Sequence, residues 1–465
     1  MASSRKSRRA SGASLPPGGD AVAILQYALH EALVEHAVSG AHIAIALSGG
    51  IDSIVLLDAA KLLAASYPIA LSAIHVHHGL SPNADRWADF CAAQCAARGV
   101  PLTLHRLHLE RRSGKSLEAQ ARAARYDCLA RADADIVALA HHADDQAETV
   151  LLQLLRGAGP AGLSAMPRFR PGRPAFLRPF LDHSRAQIAA YAAARQLAWI
   201  DDESNADRRL ARNALRHEIA PLLAARFPGY PETLMRAARH QAEAALLLDE
   251  LAQADGAGAV SAEGLERARL AGLSPARARN LLRWFLRGQG LRGPSEVKLA
   301  DMLRQLIGAS ADARIRIGIE ELEVGCHRGR IVVHPPAAQA FERVWLGEAE
   351  VLLPGGVLGF KRVHGIGLAS AKLAQAQVTL RSRAGGERIR LAPDRPTRAI
   401  KQLLQEARVP PWMRQALPFV WCGDELAAVA GLGIALQFQA APDEPGWSLD
   451  WRPAALTRRR EASPD

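Results

Sequence analysis

Cysteine is scarce in this chain. Five occur in 465 residues, at Cys91, Cys95, Cys128, Cys326 and Cys422, and none form a Cys-x-x-Cys pair. Such spacing argues against a zinc ribbon or an iron–sulfur ligand set, and it fits a reducing, cytoplasmic setting without disulfides. Long apolar runs are also missing. Arg, Asp, Gly or Pro interrupts each one before it reaches the roughly 20 residues that cross a bilayer, so no membrane partner is expected. Acidic residues are the minority charge, 47 against 58 Lys and Arg, for a formal net charge of +11. Such an excess steers a protein toward a polyanion such as nucleic acid. A coding bias that exchanges Lys for Arg gives the same number without a binding face, so charge alone does not decide.

At this length two or three domains are expected. Residues 1–20 are Ser-, Arg-, Gly- and Pro-rich and lack an apolar helical face, so they read as a disordered basic tail rather than a transit peptide. From Ala21 the pattern alternates. Strand-like runs at Ile43–Leu47, Ile69–Val76, Leu102–Leu109 and Ile136–Ala140 are separated by helical stretches at Ile54–Leu63, Trp87–Ala97 and Leu117–Ala130. That order predicts an α/β domain over 21–220, with a mainly parallel sheet. Ligands bind such sheets beyond the carboxyl ends of the strands, so the segments after Leu47, Val76 and Ala140 should converge. The Pro- and Arg-rich stretch Arg168–Pro179 reads as a loop or lid. A mixed, largely helical middle domain is expected over 221–340, Pro335–Pro336 marking its end. A smaller β-rich C-terminal domain over 344–453, with one helix near Ile400–Ala407, precedes a frayed tail at 454–465.

The first strand runs into Ser48-Gly49-Gly50-Ile51-Asp52-Ser53 and then a helix. A strand, a glycine turn and a helix start aim backbone N–H groups at an anion. The glycines allow close approach, and Ser48 and Ser53 offer hydroxyls. Asp52 would repel a bare phosphate, so its presence suggests Mg²⁺ between them. No Gly-Lys-Ser/Thr follows this turn, and it lacks the three-glycine dinucleotide pattern.

Past the fourth strand come His141, His142, Asp144, Asp145 and Glu148. Five ionisable groups this close together at a strand end favour a polar site over a core. Glu148 is one helical turn from both aspartates and shares their face. The histidines are better suited to hydrogen bonding than to Mg²⁺, which prefers oxygen.

The Ser-Gly-Gly-x-Asp-Ser turn resembles the pyrophosphate loop of PP-loop (N-type ATP pyrophosphatase, adenine nucleotide α-hydrolase-like) enzymes. Further motifs follow in order: His75-Val76-His77-His78-Gly79-Leu80, Glu118-x-x-x-Arg122-x-x-Arg125-Tyr126, and the His-His-x-Asp-Asp-Gln-x-Glu-Thr run. Arg178-Pro179, Asp202-x-Ser204-Asn205-x-Asp207, Arg212-Asn213-x-Leu215-Arg216 and Val409-Pro410-Pro411-Trp412-x-Arg414 come after them. Together they resemble the tRNA(Ile)-lysidine synthetase family from about Ala41 to Gly431, with looser matching across Leu234–Val333.

The resemblance implies ATP and Mg²⁺, free L-lysine, and an isoleucine tRNA with a CAU anticodon. In that reaction the oxygen on carbon 2 of the wobble cytidine is adenylated. The lysine ε-amine then displaces AMP, and the codon read changes from AUG to AUA. Residues Ser48–Ser53 would bind ATP, and Asp52 and Asp145 the metal. Arg122 would neutralise charge at phosphorus, while Asp52, His142, Asp144 and Asp145 align nucleotide, metal and lysine. Arg125, Asn205, Asp207, Arg212, Asn213, Arg216, Trp412 and Arg414 are the candidate tRNA contacts. For the residues from Asn205 to Arg216 a salt-bridged connector remains an alternative reading, as core packing does for Trp412. A tRNA thiolase is the nearest rival reading and would need a reactive cysteine pair. The oligomeric state is open, with a homodimer compatible.

Overall fold

A computed structural model of the chain describes residues 20–36, 38–79, 81–107, 117–203, 207–309 and 315–454. The tail before Asp20, the end after Ala454, and Asn205 lie outside the described residues. Two compact units part between Leu247 and Leu248.

The first unit contains strands β1 (His42–Ala46), β2 (Ala70–His77), β3 (Leu102–Arg106), β4 (Ile136–Ala138), β5 (Phe169–Arg170) and β6 (Ala175–Leu177). Its helices are α1 (Ala21–Glu35), α2 (Ile51–Leu63), α3 (Ala84–Arg98), α4 (Leu117–Leu129), α5 (Ala143–Leu155), α6 (Pro160–Leu163), α7 (Arg185–Ala194), α8 (Ala211–Ala214) and α9 (Ala220–Arg226), with a π-helical turn at Leu215–Ile219. The sheet order is β3-β2-β1-β4-β6-β5, parallel except for the β5–β6 pair. Strand side chains alternate between two cores, as the pleat requires. Ile43, Ile45, Ile136, Ala138, Ala175 and Leu177 enter one core. Ala44, Val137 and Phe176 enter the other, beside Tyr126 and Leu129 of α4.

Helix α1 starts where the Asp20 side chain accepts from Val22 N, and it buries Leu25, Leu29 and Leu33 at four-residue spacing. Each leucine is worth about 1.5–3 kcal/mol once buried. Helices α2, α3 and α7 meet around Asp58, a buried carboxylate on α2. Its Oδ1 accepts from Arg98 Nε at 3.2 Å, and its Oδ2 accepts from Tyr191 Oη and Arg195 Nε, both at 3.0 Å.

The stretch read as a loop at Arg168–Pro179 contains β5 and β6. Ala175, Phe176 and Leu177 are all buried and extend the parallel sheet beside β4. Three apolar residues hemmed in by prolines are too few for periodicity to separate strand from loop.

The chain passes from β1 outward to β2 and β3, then returns to β4 on the other flank of β1. The strand order therefore reverses between β1 and β4. A crevice opens at such a point beyond the strand ends, and the loops after these two strands are the ones that carry the glycine turn and the acidic run.

The second unit opens with an antiparallel five-stranded sheet whose strands include Leu322–His327 and Arg330–His334. Helices Pro275–Gly288 and Glu296–Gly308 share its hydrophobic core. Two further antiparallel sheets, of five and four strands, enclose a separate core running from Val351 to Phe438, with helix Ile400–Glu406 contributing Ile400, Leu403 and Leu404.

Candidate active site

The turn after β1 is held by one hydroxyl. Ser53 Oγ accepts from Ser48 N at 3.1 Å and Gly49 N at 3.2 Å, and donates to the Gly50 carbonyl at 2.9 Å. Its proton is thus spent inside the loop, and Ser48 Oγ sits 3.1 Å away. Gly49 has φ +91°, and a Cβ there would lie 2.9 Å from Ile200 Cδ1 and 3.2 Å from Cys91 Sγ. Only glycine fits both that angle and that space. Ile200 N also donates to the Gly49 carbonyl at 2.9 Å, so the connector following α7 lies directly on the turn. Gly50 caps α2 without a side-chain bond, which leaves the first N–H groups of the helix open to an anion.

Asp52, in the first turn of α2, faces the start of α5. Its Oδ1 is shielded from solvent and has no hydrogen-bond donor. Burial pushes its pKa up, with the neighbouring His142 opposing. His142 is the N-cap of α5 and is itself buried. Its Nε2 lies between Asp52 Oδ1 at 3.7 Å and Asp145 Oδ2 at 3.4 Å. Burial alone would lower the His142 pKa, but the Asp144 hydrogen bond and the three carboxylates outweigh it and raise it. Its Nδ1 lies 3.4 Å from Asp145 N and 3.5 Å from Asp144 Oδ2. The first contact needs a bare nitrogen and the second a proton, so the ring exchanges one for the other as it charges. Asp144 is held at about 2, first by His142 and also by accepting from Arg185 N at 2.9 Å. Asp145 is largely shielded, yet His142 and two arginines keep its pKa low.

Those arginines are Arg212 and Arg216. Arg212 Nε donates to Glu148 Oε2 at 2.9 Å, and Arg216 Nε donates to Glu148 Oε1 at 2.6 Å. Arg216 also reaches Asp145 Oδ1 at 3.2 Å, and Arg212 reaches Thr149 Oγ1 at 2.9 Å. Both guanidinium groups therefore serve as rivets for the acidic face of α5. Arg216 sits in the π-helical turn, a form that recurs at functional sites. Asn213 donates to the Asp207 carbonyl at 3.0 Å, and the half-buried Asp207 side chain pairs with the exposed Arg209 at 2.8 Å.

The turn after β1, the end of β2 and the turn after β4 meet around one cavity of about 250 Å³. Ile74, Val76, Leu129 and Leu139 make its apolar side. Arg125 lines it as well. Its guanidinium packs toward the Tyr126 ring and has no carboxylate partner among the described residues. Burial pushes the Arg125 pKa down, the mark of a cation held without a counter-charge. Arg122 packs on the same ring, 5.5 Å from its centroid. His141 lines the cavity too. Fully buried Arg178 donates to its Nδ1 at 3.2 Å, so the proton of the neutral ring sits on Nε2. Burial lowers the His141 pKa and keeps it neutral. His75 donates its Nδ1 proton to the Leu47 carbonyl at 2.8 Å.

Three family models match the chain: a PP-loop domain over residues 23–223, a TilS substrate binding domain over 265–332, and a TilS substrate C-terminal domain over 378–451. A tRNA(Ile)-lysidine synthase of Nitrosomonas europaea is 44% identical over 431 residues, spanning 90% of this chain and 93% of that protein. This chain belongs to the tRNA(Ile)-lysidine synthase family. Proteins of the same name from an Azoarcus species and from Ralstonia nicotianae are each 43% identical, over 89% of this chain and 92% and 93% of their own lengths. ATP is the co-substrate that membership implies.

Among the candidates singled out from sequence, those of the Ser48–Ser53 loop, Arg122, Arg125, His142, Asp144, Asp145, Arg212 and Arg216 lie at or beside this cavity and its acidic wall. Trp412 and Arg414 belong to the second unit. Trp412 stacks on His334 with ring centroids 3.9 Å apart, and Arg414 Nε donates to the Val409 carbonyl at 2.9 Å. The family fold adds residues that sequence reasoning left without a role: Glu148, Arg178, Ile200 and Asp202, the last also lining the cavity. Glu148 carried a local signal in its helical spacing from Asp144 and Asp145, and Arg178 and Asp202 stood in motifs that named no role for them; Ile200 had no signal. Cys91 and Cys95 are buried, and burial raises their thiols to about 12 and about 11. Neither is available as the thiolate a sulfur-transferring enzyme would use. Among the described residues no helix is long and apolar enough to cross a membrane.

Proposed function

We propose that this protein uses ATP to join L-lysine to carbon 2 of the wobble cytidine in an isoleucine tRNA bearing the CAU anticodon. The observation that carries this reading is the convergence of an open, glycine-capped helix start and a carboxylate-rich helix start on one cavity at the β1/β4 reversal. The α2 N–H groups bind pyrophosphate oxygens, and the apolar side of the cavity takes the adenine. Arg125, with no counter-charge, offsets charge on the reacting phosphate, and Arg122 supports it across Tyr126. His142, more basic than an ordinary imidazole, donates from Nε2 to a phosphate oxygen.

Adenylation releases pyrophosphate and turns the cytidine oxygen into a good leaving group. The lysine ε-amine then attacks carbon 2, and the carbon–oxygen bond breaks as AMP departs with that oxygen. Asp144, at about 2, pairs with the lysine as its ammonium on binding and is too weak a base to take the proton that the amine must shed to attack. Asp52 and Asp145 would hold Mg²⁺: Asp52 Oδ1 is a shielded oxygen without a donor, and Asp145 Oδ2 approaches the same His142 Nε2 from the start of α5. Among the described residues no three metal-binding side chains cluster. An ion held by these two carboxylates would supply positive charge to the substrate phosphates. Asp207, Asn213, Trp412 and Arg414 remain the proposed tRNA contacts, in a cytoplasmic enzyme.

The test supplies purified protein with ATP, Mg²⁺, labelled lysine and CAU-anticodon transcripts of isoleucine and methionine tRNA. Alkali-stable label in the isoleucine transcript alone is the expected result. Release of AMP and pyrophosphate without lysine incorporation would leave the ATP chemistry standing and overturn the substrate.

A further inference from the structure

The second unit contains a larger cavity, about 560 Å³, that the chemistry above does not use. Its apolar lining includes Pro335, Pro336, Pro410, Trp412, Met413 and Trp451. Arg328 and Arg408 stand on its rim, both exposed. Neither side chain has a carboxylate or hydrogen-bond partner among the described residues.

Both arginines occupy backbone positions that ordinarily go to other residues. Arg328 has φ +53° and, with Gly329 at +74°, makes the two-residue turn between strands Leu322–His327 and Arg330–His334. Such turns favour Asn-Gly or Gly-Gly. Arg408 has φ +61° and follows helix Ile400–Glu406, where its N–H bonds the Gln405 carbonyl and Val409 N bonds the Leu404 carbonyl. That is the helix-ending position that selects glycine or asparagine. The fold gains nothing from arginine at either place, since the left-handed backbone disfavours any residue with a Cβ that lacks a local side-chain bond. Two independent turns thus hold a disfavoured residue, of the same cationic type, at the mouth of one cavity. Beside the Arg328 turn, the His327 imidazole packs edge-on to Trp412, with ring centroids 5.8 Å apart.

An apolar pocket with an aromatic wall and unpaired guanidinium groups at its mouth matches a nucleotide whose base is free of a duplex: the base packs inside and its flanking phosphates meet the arginines. We propose that this cavity binds one unpaired nucleotide of the tRNA, with its base against Trp412 and the prolines and its phosphates on Arg328 and Arg408. The proposal rests on the tRNA substrate inferred above.

The test replaces each arginine with the residue its backbone prefers, as Arg328→Asn, Arg408→Asn and the pair. Thermal unfolding should show no loss of stability, and a gain at either site fits. The apparent affinity for the isoleucine tRNA transcript should fall about tenfold or more in the double variant. The slope of log affinity against log salt should flatten by nearly two, while KM for ATP and kcat stay within about twofold. Ultraviolet cross-linking of the wild-type complex should place a nucleotide on the peptide containing Trp412. Wild-type affinity and salt slope in the double variant, or destabilisation in both single variants, would overturn the proposal. An apolar peptide or small molecule as the true occupant would show itself in the same way, by leaving tRNA affinity untouched. Because wild-type lysine incorporation is measured alongside, failure of the tRNA reading registers separately from failure of this site.

Discussion

At the scale of single residues, the two glycines of the phosphate loop are not equivalent. Gly49 adopts φ +91° against Ile200 and Cys91, whereas Gly50 is extended, and a Cβ there would meet nothing closer than Ser48 Oγ at 3.6 Å. Gly49→Ala should therefore cost roughly 1–2 kcal/mol in backbone conformation alone. By displacing the loop it should also lower kcat/KM on the order of a hundredfold. Gly50→Ala should leave the unfolding temperature nearly unchanged. Melting curves for the two variants side by side check this, and equal destabilisation would contradict the assigned geometry. The loop itself is legible in sequence because its parts are contiguous and its flanks are periodic. Arg178 is legible only as a motif residue: its bond to His141 spans 37 positions, and nothing local names that partner. Nor does composition or spacing reveal the backbone angles of Arg328 and Arg408.

Elements repeat the pattern. Strand–helix alternation identifies β1 to β4 with α2, α3 and α4: β1 to β3 are long enough to show their period, and three-residue β4 shows through the longer apolar run Ile136–Ala140 around it. Strand β6 escapes because it has three residues between prolines. Helix Glu296–Gly308 buries Leu299, Met302, Leu303 and Leu306 at regular spacing, and it lies where motif resemblance is loosest. The acidic face of α5 is visible as Asp144, Asp145 and Glu148, but its arginine rivets arrive 64 and 68 positions later. Their motif is plain in sequence while their partner is not. Long-range polar hubs hold these elements in register, and Asp58 is the clearest. Asp58→Ala would strip a carboxylate from Arg98, Arg195 and Tyr191 together. We expect a loss of about 3 kcal/mol, the low end for a broken buried pair because Arg195 keeps solvent access. Urea unfolding reads that loss, and a change under about 0.5 kcal/mol would mean the hub is dispensable.

For the whole molecule, the net charge of +11 acquires a partner once tRNA is the substrate. Binding that neutralises on the order of six phosphates should weaken about a thousandfold between 50 and 200 mM salt. The KM for ATP should move far less, since the site proposed for it is a small cavity with fixed N–H donors. Steady-state assays across that salt range test the contrast, and parallel changes in both constants would count against it. The Asp58 hub also has a consequence for the order in which the chain comes into being. Its partners Tyr191 and Arg195 lie 133 and 137 positions downstream. At synthesis rates of roughly 5–20 residues per second, α2 waits on the order of ten seconds for them. Until α7 leaves the ribosome, the helix that carries the phosphate loop holds a carboxylate only Arg98 can answer. The first unit therefore cannot close piece by piece as it is made; it must wait for α7.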